Sequence, residues 1–144
     1  MMGVPFVDLK MQHHKLQREL DDAIHGVMAR ADFALGEDVH RFEEEFANFC
    51  GTKYAVGVDS GLSALELSLR ALGIGPGDEI IVPTHTFIAT AAAVNFAGAR
   101  PVLVDVDPET YNLDVQKAEA AITPRTRGII PVHLYGLPAE MDAI

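Results

Sequence analysis

Paired cysteines are missing from this 144-residue sequence. Cys50 stands alone, so no disulfide can close within the chain. Met1 to Val7 lack the basic flank and long apolar core of an export signal. Together these absences make a reducing cytoplasm the default compartment. Basic charge is scarce as well. Eleven Lys and Arg stand against 21 Asp and Glu, for a net charge of -10, and the bases form no cluster. That argues against a nucleic-acid partner, because phosphate binding needs a basic face. Low-complexity tracts and repeats at solenoid periods are also absent. Ile80 to Ala99 carries no charged residue and approaches the length of a membrane span. Pro83, Thr84, His85 and Thr86 break that run into a strand and a small-residue helix, so no span is expected.

What remains is a soluble globular mixture with 49% hydrophobic and 22% charged residues. Leu16, Leu20, Ile24 and Val27 recur at helical spacing, which predicts a helix over about 12–30. Glu37 and Asp38 open a second helix, where acids suit the positive dipole end. Its expected buried stripe is Val39, Phe42, Phe46 and Phe49, and Gly51 ends it. From there the pattern becomes strand, loop, helix, repeated. Strands are expected at Tyr54–Val58, Glu79–Val82, Pro101–Val106 and Gly128–Leu134. Between them lie a helix from the Asp59-Ser60-Gly61 turn to about Leu72, an alanine-rich helix over Phe87–Ala97, and a short one near Val115–Ile122. A further helix is expected from Pro138. Alternating elements with near-continuous apolar strands predict an α/β fold, with a mainly parallel sheet flanked by helices. Such sheets bind ligands beyond the carboxyl ends of their strands.

The chemistry-bearing residues at those ends are few. Asp59-Ser60-Gly61-Leu62-Ser63-Ala64 joins a strand to a helix. It suits a phosphate cradle of free helix-start amides, with Gly61 allowing close approach, and equally an ordinary helix cap. Phe87 sits where an aromatic can stack on a flat ring, and equally where a core phenylalanine begins a helix. His133 and Tyr135 have either acid–base or structural roles. Asp105 and Asp107 read as loop caps, since two carboxylates do not make a metal site. Lys10, Lys15, Lys53 and Lys117 fall in helical, turn or strand-start positions, away from the strand carboxyl ends. None is placed as a Schiff base. Ending at Ile144, just inside the helix expected from Pro138, the chain reads as part of a longer polypeptide.

The order of several blocks resembles the DegT/StrS aminotransferases, a fold-type-I group dependent on pyridoxal 5'-phosphate (PLP). They include Val4-Pro5-Phe6-Val7-Asp8-Leu9, Phe42-Glu43-Glu44-Glu45-Phe46-Ala47, Ser60-Gly61-Leu62-Ser63-Ala64-Leu65 and Gly73-Ile74-Gly75-Pro76-Gly77-Asp78-Glu79. Thr86-Phe87-Ile88-Ala89-Thr90 and Pro131-Val132-His133-Leu134-Tyr135-Gly136 follow in the same order. The resemblance implies amination of a nucleotide-linked keto sugar, with glutamate as the expected amino donor, in a homodimer. It implies a division into an N-terminal helical segment, 1–35, and the first part of the PLP-binding large domain, 36–144. Leu62 and Ser63 are implied to bind the PLP phosphate beside Gly61, and Phe87 to stack on the ring. Leu62 replaces the threonine common in the family, which leans towards a 3-keto sugar. The Schiff-base lysine and the aspartate at the pyridine nitrogen are expected beyond Ile144, so this stretch alone is expected to be inactive. Relatives with histidine at the lysine position are sugar dehydratases. A regulatory or binding protein on the same fold is the remaining alternative.

Overall fold

The computed structural model describes residues 4–144. The chain divides into two compact units, Met1–Gly57 and Val58–Ile144.

In the first unit, helix α1 runs Leu9–Arg30 and helix α2 runs Glu37–Cys50. Asp8 starts α1, its Oδ1 accepting from the amides of Lys10 at 3.1 Å and Met11 at 3.3 Å. Such a cap satisfies amides that have no partner within the helix. Between the helices Asp32 accepts from the Glu37 amide and from Arg30 Nε, each at 3.2 Å. Arg30 also pairs with Asp38. The Glu37 amide, then Arg30, hold the Asp32 carboxyl below the usual range. Gly51 closes α2 in the left-handed region at φ 68°. The expected phenylalanine stripe is not buried. Only Ala47 of α2 is, while Phe42, Phe46 and Phe49 are exposed and stack on one another at 5.6 and 6.3 Å. The periodicity located the helix correctly, but no apolar layer covers that face among the described residues.

In the second unit three parallel strands form one sheet in the order β2-β1-β3: β1 Glu79–Pro83, β2 Arg100–Val104 and β3 Thr126–Ile129. Helix α3 spans Gly61–Ala71, α4 Ala89–Phe96 and α5 Val115–Ala120. The strand pleat sends Ile80 and Val82 to one face and Ile81 to the other. On the first face they pack with Leu65 and Leu69 of α3 and with Ala93 and Val94 of α4. On the other, Ile81 packs with Val104, Leu113 and Ala118. Ile80, Ile81 and Val82 are wholly buried, each worth about 1.5–3 kcal/mol of transfer free energy. The alanines of α4 let that helix lie close to the sheet, as its composition suggests.

Three expected elements differ. Tyr54–Val58 makes no ladder, because no strand among the described residues runs beside it. The last strand is shorter than Gly128–Leu134. Past Ile129 only the Ile130 amide still pairs, with Ile81 O, and Leu134–Gly136 forms a 3-10 turn. Pro138 opens no helix. The Pro138 carbonyl and that of Leu137 instead accept from the buried Asn112 side chain, at 3.0 and 3.1 Å.

Candidate functional site

Helix α3 packs on α4, and Arg70 near its end reaches the carbonyl of Phe96 at the end of α4, so the two helices run in the same direction. The first turn of α3 therefore lies at the sheet's carboxyl edge, where α4 also begins. Ser60 is extended at φ -159° and ψ 160°, and its Oγ accepts from the Ser63 amide at 3.1 Å. The Ser60 carbonyl takes the Ala64 amide at 3.0 Å. The amides of Gly61 and Leu62 donate to nothing among the described residues. Gly61 faces open space, since a β-carbon there would meet no atom within 4 Å. The cap reading of this turn therefore holds. Ser60 is the cap, and two amides remain for an anion. Ser63 is already engaged, its amide by Ser60 and its Oγ by Ser60 Oγ at 3.1 Å. A hydroxyl still has further hydrogen-bonding capacity.

Phe87 lies in the loop between β1 and α4, two residues before the helix rather than within it. The ring is 77% exposed, so it is not a core residue. Its loop is tied down by Thr84, whose amide donates to Val104 O at 2.9 Å, and by a 3.2 Å contact between the hydroxyls of Thr86 and Thr90. His85 packs against Tyr111 of the neighbouring loop, with ring centroids 5.8 Å apart.

The carboxylates after β2 are loop caps. Asp107 Oδ1 accepts from the amides of Glu109 and Thr110, each at 2.9 Å. Asp105 accepts from the Val106 amide at 2.9 Å and from Lys117 Nζ at 3.2 Å. That second contact corrects the placement of Lys117. Its helix is where the sequence put it, yet its side chain reaches the residue just beyond β2, at the sheet's carboxyl edge. It is not a free amine there. Hydrogen bonds to Asp105 and then Asp114 push its pKa up and keep it protonated. His133 is structural, its Nδ1 accepting from the Ala139 amide at 3.0 Å. Tyr135 is exposed and adopts a left-handed φ of 54°.

Two polar centres escaped the sequence reading. Asn112 joins the loop after β2 to residues 134–138, its Oδ1 also accepting from the Leu134 amide at 3.1 Å. At the opposite edge, buried Glu79 accepts from Thr123 Oγ1 at 2.6 Å and from Arg125 Nη2 at 2.7 Å. Arg100 lies 3.7 Å away. The Thr123 hydroxyl first, then Arg125 and Arg100, hold the Glu79 carboxyl below its ordinary range against the opposing effect of burial. A signal for Glu79 was available, since an acid opening a wholly apolar strand needs partners once buried.

A βα-type sheet with free helix-start amides and an exposed aromatic at one edge is common to many cofactor and nucleotide proteins. Comparison separates them. Residues 14–144 match the DegT/DnrJ/EryC1/StrS aminotransferase family. The chain belongs to that family. It is 53% identical over 141 residues to the dTDP-3-amino-3,4,6-trideoxy-alpha-D-glucose transaminase of Streptomyces venezuelae, covering 98% of this chain and 37% of that protein. The crystal structure of S. venezuelae DesV in complex with a ketimine intermediate matches with a TM-score of 0.93 at 52% identity, over 99% of this chain and 38% of that one. NtdA from Bacillus subtilis, solved with bound cofactor PMP, matches with a TM-score of 0.92 at 34% identity, over 100% of this chain and 33% of that one. This DegT/StrS chain thus has the fold of the fold-type-I aminotransferases and spans less than two fifths of the length of these relatives.

Proposed function

We propose that the protein carrying this DegT/StrS chain is a PLP-dependent aminotransferase that aminates a nucleotide-linked keto sugar. The observation that carries this reading is the pair of partnerless amides, Gly61 and Leu62, at the start of α3. They lie on the same sheet edge as exposed Phe87. The residues fit the group: a phosphate matches two unpartnered N–H donors at a positive helix end, and a flat ring matches an exposed aromatic. Bound there, PLP supplies the aldehyde and electron sink through which an amino group passes from donor to sugar.

The chain's own part is to bind and orient. The Gly61 and Leu62 amides hold the phosphate, Ser63 Oγ adds a further donor, and Phe87 covers one face of the ring. Lys117 takes no proton from substrate, because Asp105 and Asp114 hold its own. The Schiff-base lysine is assigned to sequence following Ile144. Leucine at 62 keeps the amide without a side-chain hydroxyl, and the family resemblance, in which members with Gly-Leu at this place include enzymes that aminate the 3-position, supports a 3-keto sugar. Glutamate as donor, a homodimer and a cytoplasmic location complete the reading. No helix among the described residues is long and apolar enough to cross a membrane. The family resemblance assigns 36–144 to the PLP-binding domain and 1–35 to an N-terminal helical segment.

The test uses the full-length protein. Added glutamate should convert bound PLP to its amine form, seen as loss of the visible cofactor band, and a nucleotide-linked 3-keto sugar should restore it. Water loss from the sugar without net amino transfer would mean a dehydratase. No spectral change with any amine or sugar would leave a binding role.

A further inference from the structure

We propose that Tyr111 is a positioning residue, which sets the orientation of Phe87 at the cofactor ring through its contact with His85. The inference rests on the reading of Phe87 as the stacking aromatic. Phe87 and its neighbour Ile88 are 77% and 71% exposed, so burial fixes neither side chain. Their loop is instead held at three points. The Thr84 amide anchors its start to β2, and the Thr86–Thr90 hydroxyl contact anchors its end to α4. Between them, His85 leans on a ring that comes from a different loop, at 5.8 Å between centroids and 45° between planes.

Tyr111 is set up to bear on that loop. Its φ of 60° lies in the left-handed region, uncommon for a bulky side chain. The surrounding loop enforces it. The Tyr111 amide donates to Asp107 O at 2.8 Å, the Asp107 amide donates to Asn112 O at 2.9 Å, and Asp107 Oδ1 takes the amides of 109 and 110. Buried Asn112 follows directly and fixes the loop to residues 134–138. A strained, over-determined backbone that presents a half-exposed aromatic beside a ligand edge points to a role there. The ring makes the contact, while the hydroxyl has no partner among the described residues.

These features separate positioning from mere stability. Tyr111→Gly relieves the left-handed strain and so should not lower the melting temperature, yet it removes the buttress. In the full-length protein, PLP titration followed by induced circular dichroism of the cofactor band reads the difference. Tyr111→Phe should match the wild type. Tyr111→Gly and His85→Ala should each weaken PLP affinity roughly twofold to tenfold, the range of one aromatic contact, and reduce the induced signal. In a Phe87→Ala background, Tyr111→Gly should add nothing. Equal losses in both backgrounds would overturn the proposal, as would a Tyr111→Gly protein with unchanged affinity and signal while Phe87→Ala is impaired. If Phe87→Ala itself changes neither quantity, the stacking reading fails, and the proposal fails with it.

Discussion

At the amino end of β1, Glu79 is 2% exposed and its carboxylate is engaged by Thr123 and Arg125. Past the other end of the same strand, Phe87 stands in solvent, and nearby the Gly61 and Leu62 amides donate to nothing among the described residues. Four apolar strand residues, Ile80 to Pro83, separate a saturated polar cluster from unpartnered amides. The difference is physical. A buried charge left unpaired is strongly destabilising, so the amino edge must close on itself. Amides and an aromatic left open to water cost little and remain available to a ligand. The buried carboxylate with its partners lies at one edge of this sheet and the unpartnered amides and exposed aromatic at the other.

Removing the Glu79 carboxylate should break the closed edge. Glu79→Ala takes the shared acceptor from Thr123 and from the exposed Arg125 and should lower the melting temperature by about 5 °C. PLP affinity measured well below that temperature should be unchanged. The open edge should show the reverse pattern. Gly61→Pro deletes one free amide at the first helical position, where proline is tolerated, and the extended Ser60 before it accepts a following proline. PLP affinity should fall about tenfold or more, as for a lost charge-assisted hydrogen bond, with the melting temperature shifted by no more than about 2 °C. Ser60→Ala sharpens the contrast within α3, because it removes the cap and should cost about 1 kcal/mol of stability in a denaturant titration.

Acid should weaken the closed edge at Glu79, as it should the loop caps Asp105 and Asp107, whose carboxyls are held below the usual range chiefly by backbone amides. The Glu79 pKa is lowered from 4.5, so its contribution is fully present above that value and is lost as pH falls through the lower folded value. Between about pH 5 and 3, the wild type should lose more stability than Glu79→Gln in parallel urea titrations. A flat difference between the two would place the acid sensitivity elsewhere. The smallest expected effect is none. Borohydride reduction of the 144-residue chain with PLP should label no lysine stoichiometrically, since two carboxylates keep Lys117 protonated.

Much of this was legible in the sequence. Leu62, Leu65, Leu69 and Leu72 at helical spacing located α3, but its buried face stops at Leu69, since Leu72 is the exposed C-cap. The Asp59-Ser60-Gly61 turn located the start of α3 and its Ser60 cap, the same local geometry that an anion site would use. What could not be read depended on partners distant in sequence. Tyr54–Val58 has the composition of a strand, but a strand exists only where another runs beside it. The phenylalanines of α2 have the spacing of a buried stripe without the layer that would bury them. Nothing local sets Asn112 apart from the loop around it, and only the fold brings Leu134, Leu137 and Pro138 to its side chain. Lys117 was placed by its helix, whereas the length of its side chain carries the ammonium to Asp105.

A crystal structure of the full-length protein with PLP tests the central claim most directly. The account predicts phosphate oxygens within hydrogen-bonding distance of the Gly61 and Leu62 amides, with the pyridine ring lying against Phe87. A phosphate held at the amino edge beside Arg100 and Arg125, or a ring whose face Phe87 does not touch, would contradict it.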